Sequence, residues 1–414
     1  MKIGELAHLF NLSTQAIRYY IKVGLIVPES KGAQYQFNQQ NVEDLKLILK
    51  LKQYDFSISD IHDVLTLKRI SNLKTSDSQD KYRAILRNKL SSIAEEQVRL
   101  RKVTSEIEAE LKALSTTAAP TQKERGIPLC FLPLLCCPTC GTTLDISNMQ
   151  IRDQQIISGD LHCGCGYRAK IEHGILLVEG GHVPEREIPD LSRSSYNDSS
   201  AALVTLYQKS YNWILNQLSG IDLAGKVVFE NLINCCCFLA TNINQMSPDA
   251  LYIVADRHRE VIELYKEFFE QQTSANILFI VAPSHRYPLK SHCIDLYIDY
   301  LSTLDYMTYE SGDYRDVLRP FLRPQADVVG AWGYFAPRSR SYRQFRTQFP
   351  ESQESTFKLD AFLDFLRSQP IRMLGEQYTG HVTDSGQGGL CFSFHIPGDK
   401  LSFYTFHYRY LQGT

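Results

Sequence analysis

Two pairs of cysteines have the types and spacing of a metal site. In Cys137-Pro-Thr-Cys140-Gly, two thiolates lie two residues apart and the glycine permits a tight turn. A second pair, Cys163-Gly-Cys165-Gly, follows after 22 intervening residues (141–162). Four sulfurs from two turns can close a tetrahedron, the geometry of a structural Zn²⁺ site. Such a site is coordinatively closed, so its expected contribution is folding stability rather than catalysis. A second set of groups is displayed near the N-terminus. Thr14, Arg18 and Lys22 recur every four residues, with Ser13, Gln15 and Tyr19 beside them. On a helix this is one stripe of cations, donors and acceptors. It suits a recognition helix in a DNA major groove, where phosphates attract cations and base edges need hydrogen-bonding partners. Two carboxylates, Glu230 and Asp256, end apolar strand-like runs. The triple Cys235-Cys236-Cys237 has no His–Asp arrangement near it and reads as a buried helix start.

The elements that must position these groups follow from pattern. Residues 1–70 read as short amphipathic helices, with Ser13 as the N-cap of a helix running to about Val23 and Gly24 breaking it. Residues 75–115 hold a long helical signal without Gly or Pro. Leu86, Leu90, Ile93, Gln97, Leu100, Thr104, Ile107, Leu111 and Leu114 follow a 4-3 spacing, the seam of a coiled coil. Polar Gln97 and Thr104 can set its register. A polar linker, 115–126, leads to a Cys- and Gly-rich segment, 127–180, with strand-like runs at 142–146 and 155–157. After a second linker, 180–195, strands alternate with helices from about 198 to 414. Strands are expected at 226–230, 249–256, 276–282, 292–299 and 326–330, a helix at 257–271, and a late hairpin from 389–397 and 400–408. The chain has 414 residues, 44 basic and 46 acidic, a formal net charge of −2. That balance argues against wholesale nucleic-acid binding but leaves room for one small basic module. No run of 18 or more apolar residues predicts a membrane span, and the N-terminus lacks a signal peptide's tripartition. A cytoplasmic location is expected, with no membrane partner, and clustered cysteines there point to metal or packing rather than disulfides.

Three segments resemble known families. Residues 16–28 read Ala-Ile-Arg-Tyr-Tyr-Ile-Lys-Val-Gly-Leu-Ile-Val-Pro, 37–45 read Phe-Asn-Gln-Gln-Asn-Val-Glu-Asp-Leu, and 55–65 read Asp-Phe-Ser-Ile-Ser-Asp-Ile-His-Asp-Val-Leu. Together they resemble the MerR family of regulators over about residues 1–70. The resemblance implies a winged helix-turn-helix that binds double-stranded promoter DNA, with Arg18 and Tyr19 at backbone phosphate and Thr14 near base edges. Ser30, Tyr35 and Asp55 depart from the family pattern, replacing two arginines and a glycine; Tyr35 still offers a hydroxyl to a phosphate. Residues 1–70 hold nine Lys/Arg against seven Asp/Glu, so a shallow salt dependence is expected. The long helix takes the place of that family's dimer coil, implying a homodimer. Residues 135–144 and 167–177 resemble the zinc ribbons found before methyltransferase domains. The second pair is normally spaced Cys-x-x-Cys, so Cys136 and His162 stand as alternative ligands.

The C-terminal segment resembles a class I S-adenosylmethionine-dependent methyltransferase over about 200 residues. The resemblance implies that Glu230 and Asp256 bind cofactor, Asp256 holding the ribose hydroxyls. The Gly-x-Gly-x-Gly cradle that should follow Glu230 is absent: Leu232, Asn234 and Cys236 stand at its three glycine places. Glycine is needed there for close approach of the backbone to the cofactor.

The expected architecture is multidomain: a winged helix-turn-helix (1–72), a coiled-coil helix (75–115), a small β zinc ribbon (127–180) and a Rossmann-like methyltransferase α/β fold (198–414). The expected function is a MerR-type transcriptional regulator that distorts promoter DNA and meets RNA polymerase there. Its methyltransferase-like half would sense an unknown small-molecule effector, Zn²⁺ would be structural, and no catalytic residue is assigned. S-adenosylmethionine is retained as a candidate ligand, and an active methyltransferase with an N-terminal DNA-targeting module stays open.

Overall fold

The computed structural model describes residues 1–31, 34–71, 74–116, 124–312, 314–387 and 391–411. The side chain of Leu114 and most of the linker 115–126 lie outside the described residues. The chain divides into two units, Met1–Ala118 and Ala119–Thr414.

The first unit begins with α1 (Ile3–Leu9) and α2 (Thr14–Lys22). Ser13 caps α2 by accepting a hydrogen bond from the Ala16 amide at 3.1 Å, which satisfies one orphan donor of the first turn. A two-stranded antiparallel wing, β1 (Glu29–Lys31) and β2 (Gln34–Gln36), follows, then α3 (Gln39–Gln53) and α4 (Ile58–Ser71). The hairpin is the wing that the family resemblance implies; its three-residue strands are too short to leave a periodic signal of their own. Leu6, Ile17, Leu25, Leu45, Ile48, Leu51, Ile61 and Leu65 form the core of this unit, each fully buried. Asp44, also buried, accepts from Lys68 Nζ at 3.0 Å and Gln40 Nε2 at 2.9 Å, and pairs with Arg69 at 3.2 Å. Arg69 donates onward to the carbonyls of Gly24 (3.3 Å) and Leu25 (2.7 Å). The turn that ends α2 is thereby tied to α3 and α4. Asp55 has φ +57°, which explains why a glycine is the usual occupant; Asp is among the few side chains that tolerate this region.

Helix α5 (Ser76–Thr116) runs for 41 residues, about 60 Å at 1.5 Å per residue. Along its seam Leu90, Ile93, Leu100, Ile107 and Leu111 are exposed in the single chain, while Leu86 packs against the core of the helix-turn-helix.

The second unit is built on one twelve-stranded sheet. Its strands are β3 (Ile127–Pro128), β4 (Asp145–Arg152), β5 (Gln155–His162), β6 (Arg168–Glu172), β7 (Ile175–Val178), β8 (Val227–Asn231), β9 (Leu251–Asp256), β10 (Asn276–Val281), β11 (Ile294–Tyr300), β12 (Leu322–Phe335), β13 (Ile371–Val382) and β14 (Leu401–Tyr410). The order is β13-β14-β12-β11-β8-β9-β10-β7-β6-β5-β3, with β4 beside β5. The central strands are parallel, and β14 runs antiparallel to both β12 and β13. This is a doubly wound sheet whose order reverses between β8 and β11, closed by a late antiparallel strand: a methyltransferase-like Rossmann fold. β8 to β10 are buried along nearly their whole length, as parallel strands covered on both faces must be.

Two sequence expectations change here. The ribbon is not a separate sheet. β7 pairs in parallel with β10, Phe279 opposite Ile175, so the ribbon extends the central sheet. The late hairpin is also corrected. Residues 391–394 form turns, and β14 pairs instead with β13. Phe392 and Phe394 are buried among aromatic rings rather than in a strand.

Candidate functional site

The proposed DNA-contacting residues all reach solvent. Ser13, Thr14, Gln15, Arg18, Tyr19 and Lys22 are exposed on and before α2, while Ile17 between them is fully buried. The buried face fixes the helix and the polar stripe is free. Tyr35, on β2, is likewise exposed. The wing is held to the body by Asn41, which donates to the Val27 carbonyl at 3.0 Å, and by the reciprocal Asn38–Asn41 capping pair.

The four cysteines converge. The sulfurs of Cys137, Cys140, Cys163 and Cys165 all lie within 4.8 Å of one another, with Cys137–Cys165 and Cys140–Cys163 each at 3.4 Å. A tetrahedron with Zn–S bonds of about 2.3 Å has edges of about 3.8 Å, so this group could hold a metal. The shortened Cys-x-Cys spacing still works because Gly166 (φ +97°) turns the chain under Cys165, as Gly141 (φ +75°) does after Cys140. The Thr142 hydroxyl lies 3.1 Å from both Cys140 and Cys163. Hydrogen bonds from the Thr142 side chain and backbone draw the Cys140 thiol down to about 6, toward the thiolate that a metal requires. The alternative ligands Cys136 and His162 are not in the group. Cys136 is buried and bridges to Thr143 by its backbone.

At the sheet's reversal, the implied cofactor residues have other partners. Glu230 is fully buried and accepts from the amides of Phe238 (2.6 Å) and Leu239 (2.8 Å), capping the short helix Phe238–Asn242. Burial pushes its carboxyl up to about 7, against those two amides. Asp256 accepts from the amides of Asn234 (3.0 Å) and His258 (2.9 Å), one on each oxygen. Burial, and next the charge of Glu187, raise it to about 6. Leu232, at the first glycine place, is buried with φ +51°, a conformation a branched side chain adopts only under strain. Asn234, at the second, donates to the Ile188 carbonyl (2.8 Å) and accepts from the Asp190 amide (2.7 Å). Its side chain thus fills a cradle that glycine would leave open and pins the segment before it. These residues do not fit S-adenosylmethionine, the cofactor that the fold implies. Cys235, Cys236 and Cys391 line a small cavity beside Leu232, walled by Phe349, Phe357 and Phe392. The triple cysteine sits in the loop before the helix Phe238–Asn242, with Cys236 and Cys237 buried.

The helix-turn-helix, with the two described strands of its wing, defines a DNA-binding regulator. Residues 1–68 match the model of MerR HTH family regulatory proteins. The chain is 34% identical over 99 residues to the HTH-type transcriptional regulator CueR of Vibrio cholerae, covering 22% of this chain and 70% of that protein. It is 33% identical over 79 residues to a ZntR homolog of Haemophilus influenzae, covering 19% and 58%. The chain belongs to the MerR family, as a MerR-type transcriptional regulator. For the second unit, a phosphoethanolamine N-methyltransferase 2 of Haemonchus contortus aligns at 12% identity and a TM-score of 0.35, covering 54% of this chain and 59% of that one. A score that low carries no argument; the strand order does. No helix among the described residues is long and apolar enough to cross a membrane.

Neither Glu187 nor the inward turn of segment 183–193 was legible from sequence. The one available signal was an acidic residue set among prolines two residues before Pro189.

Proposed function

We propose that the chain acts as a homodimer on a two-fold promoter site. Its ribbon and α/β unit is the sensory half, and regulation works by distorting the promoter so that RNA polymerase engages it differently. The deformation energy of the spacer would then do the switching. The observation that carries this reading is the exposed stripe of Thr14, Arg18 and Lys22 over a fully buried Ile17, with Ser13, Gln15, Tyr19 and Tyr35 exposed around it. Zn²⁺ is the metal the four thiolates suit best, and it would brace the ribbon. The protein would reside in the cytoplasm.

Arg18→Ala is expected to weaken promoter binding roughly tenfold across operator sequences and to lower the slope of log affinity against log salt by about 1. Gel shifts over a salt series measure both. Unchanged affinity and slope would remove Arg18 from the interface.

The retained Glu230 and Asp256 favour a second reading, an active S-adenosylmethionine-dependent methyltransferase with a DNA-targeting module. Leu232 and Asn234 weigh against it. Calorimetric titration with the cofactor, followed by a turnover assay, separates the two.

A further inference from the structure

The segment 183–193 between ribbon and α/β domain has no regular structure until its end, yet its polarity is inverted. Ile188 is 60% exposed and Leu191 48%, while Glu187 and Asp190 are buried. Asp190 is accounted for locally, since it accepts from the Ser194 amide at 2.8 Å at the start of the next helix; the buried carboxylate of Glu187 is the informative one. The Glu187 carboxylate lies 2.7 Å from Arg257 Nη1 and 3.3 Å from His258 Nε2. Both follow directly on Asp256 at the carboxyl end of β9, where doubly wound sheets take their ligands. Asn234 holds the segment in place by its two hydrogen bonds to Ile188 and Asp190.

We propose that Glu187 is an intramolecular stand-in for the effector: Arg257 and His258 form a carboxylate-binding site, and a small organic acid that displaces Glu187 releases the segment. This rests on the reading of the second unit as the sensory half. Three observations support it. First, the site is underfilled. The Arg257 side chain is wholly buried, yet its Nε and Nη2 have no hydrogen-bond partner among the described residues. The ion pair to Glu187 uses Nη1, which also donates to Glu310 at 3.3 Å, so one arm of the guanidinium is engaged and its other two nitrogens are not. A free carboxylate, not tethered to a backbone, can align with the guanidinium fork in a bidentate pair. Second, the exchange conserves charge. Asp256, Asp305 and Glu310 also act on Arg257, so a phosphate dianion would add repulsion whereas one carboxylate replacing another does not. Third, His258 is raised from its usual value. Burial opposes its charge, but the hydrogen bond it donates to Glu187, and then the charges of Asp256 and Glu187, more than offset that. It therefore favours an anionic neighbour.

The test excises the stand-in. Glu187→Ala in the full-length, zinc-loaded protein leaves a hole the size of acetate. Breaking a buried pair at one end should lower the melting temperature by roughly 10 °C. Sodium acetate should restore most of that loss along a saturating curve, and sodium chloride at equal ionic strength should not. Glu187→Ala/Arg257→Met should show no saturating response, and the wild type, where the tethered carboxylate competes, should respond only at much higher acetate than Glu187→Ala. A loss that acetate does not repair, or that chloride repairs equally, overturns the proposal. Should Glu187→Ala fail to fold, Glu187→Gln keeps the shape and drops the charge. Trypsin should then cut after Arg186 at least several-fold faster than in the wild type, and equal protection overturns the proposal. Both readouts are taken without DNA. A protein that fails them while still shifting promoter DNA loses this inference and keeps the regulator reading.

Discussion

Leu100→Asp in α5 is expected to convert a dimer into a monomer and to weaken promoter binding by about 100-fold or more. The helix presents Leu90, Ile93, Leu100, Ile107 and Leu111 to solvent, at 66%, 39%, 49%, 53% and 59% exposure. The side chains follow the spacing of a two-helix seam, and a helix of this length has little stability without a partner to cover such a stripe. A carboxylate at the middle of the seam would be buried opposite its own copy, unpaired. Losing the dimer separates two half-site contacts that otherwise bind as one, and linked binding gains a factor of about 10² to 10⁴. The substitution should leave the helix-turn-helix folded, because its core of Leu6, Ile17, Leu45 and Ile61 lies elsewhere in the sequence and is closed. Sedimentation gives the mass and gel shift the affinity. A Leu100→Asp protein that remains dimeric would place the dimer contact outside this seam.

The second large effect concerns the metal. One zinc per chain is expected, and Cys163→Ser should abolish it and lower the melting temperature of the second unit by more than about 10 °C. Structural zinc in small modules is worth about 10–16 kcal/mol of apparent binding free energy, and that energy is folding energy. The effect should spread beyond the ribbon because β7 is hydrogen-bonded along β10. Unfolding the ribbon therefore strips a neighbour from the central sheet and exposes an edge. Elemental analysis and calorimetry measure the two parts. A metal-free wild type with an unchanged melt would mean that the four thiols are simply packed together.

Much of this arrangement could be read from local sequence, because local chemistry sets it. Ser13 caps α2 through its own hydroxyl, and the four cysteines sit in turns defined by adjacent glycines. β8, β9, β10 and β11 fell within two residues of their expected bounds because parallel strands, buried on both faces, are continuous apolar runs. The failures are all non-local. β13 carries Gly375, Gly380, Arg372 and Glu376 and pairs with irregular register, so it has no strand pattern of its own. The β7–β10 pairing joins residues about a hundred positions apart and leaves no mark in either strand. Phe392 and Phe394 alternate like a strand, yet they pack into an aromatic cluster with Phe357. β12 continues through Pro324, well before the expected start at 326, because the ladder to β11 shifts between Ile294 and Leu296. Glu187 lies on a segment whose sequence reads as a linker, and only its three-dimensional partners, Arg257 and His258, give it a role.

The most direct test of the central claim is a footprint of the full-length, zinc-loaded protein on the promoter region adjoining its own coding sequence. Two protected half-sites related by two-fold symmetry, occupied together and lost together in Leu100→Asp, are the predicted result. No protection at micromolar protein, with folding and zinc content verified, would contradict the account of this chain as a dimeric promoter-binding regulator.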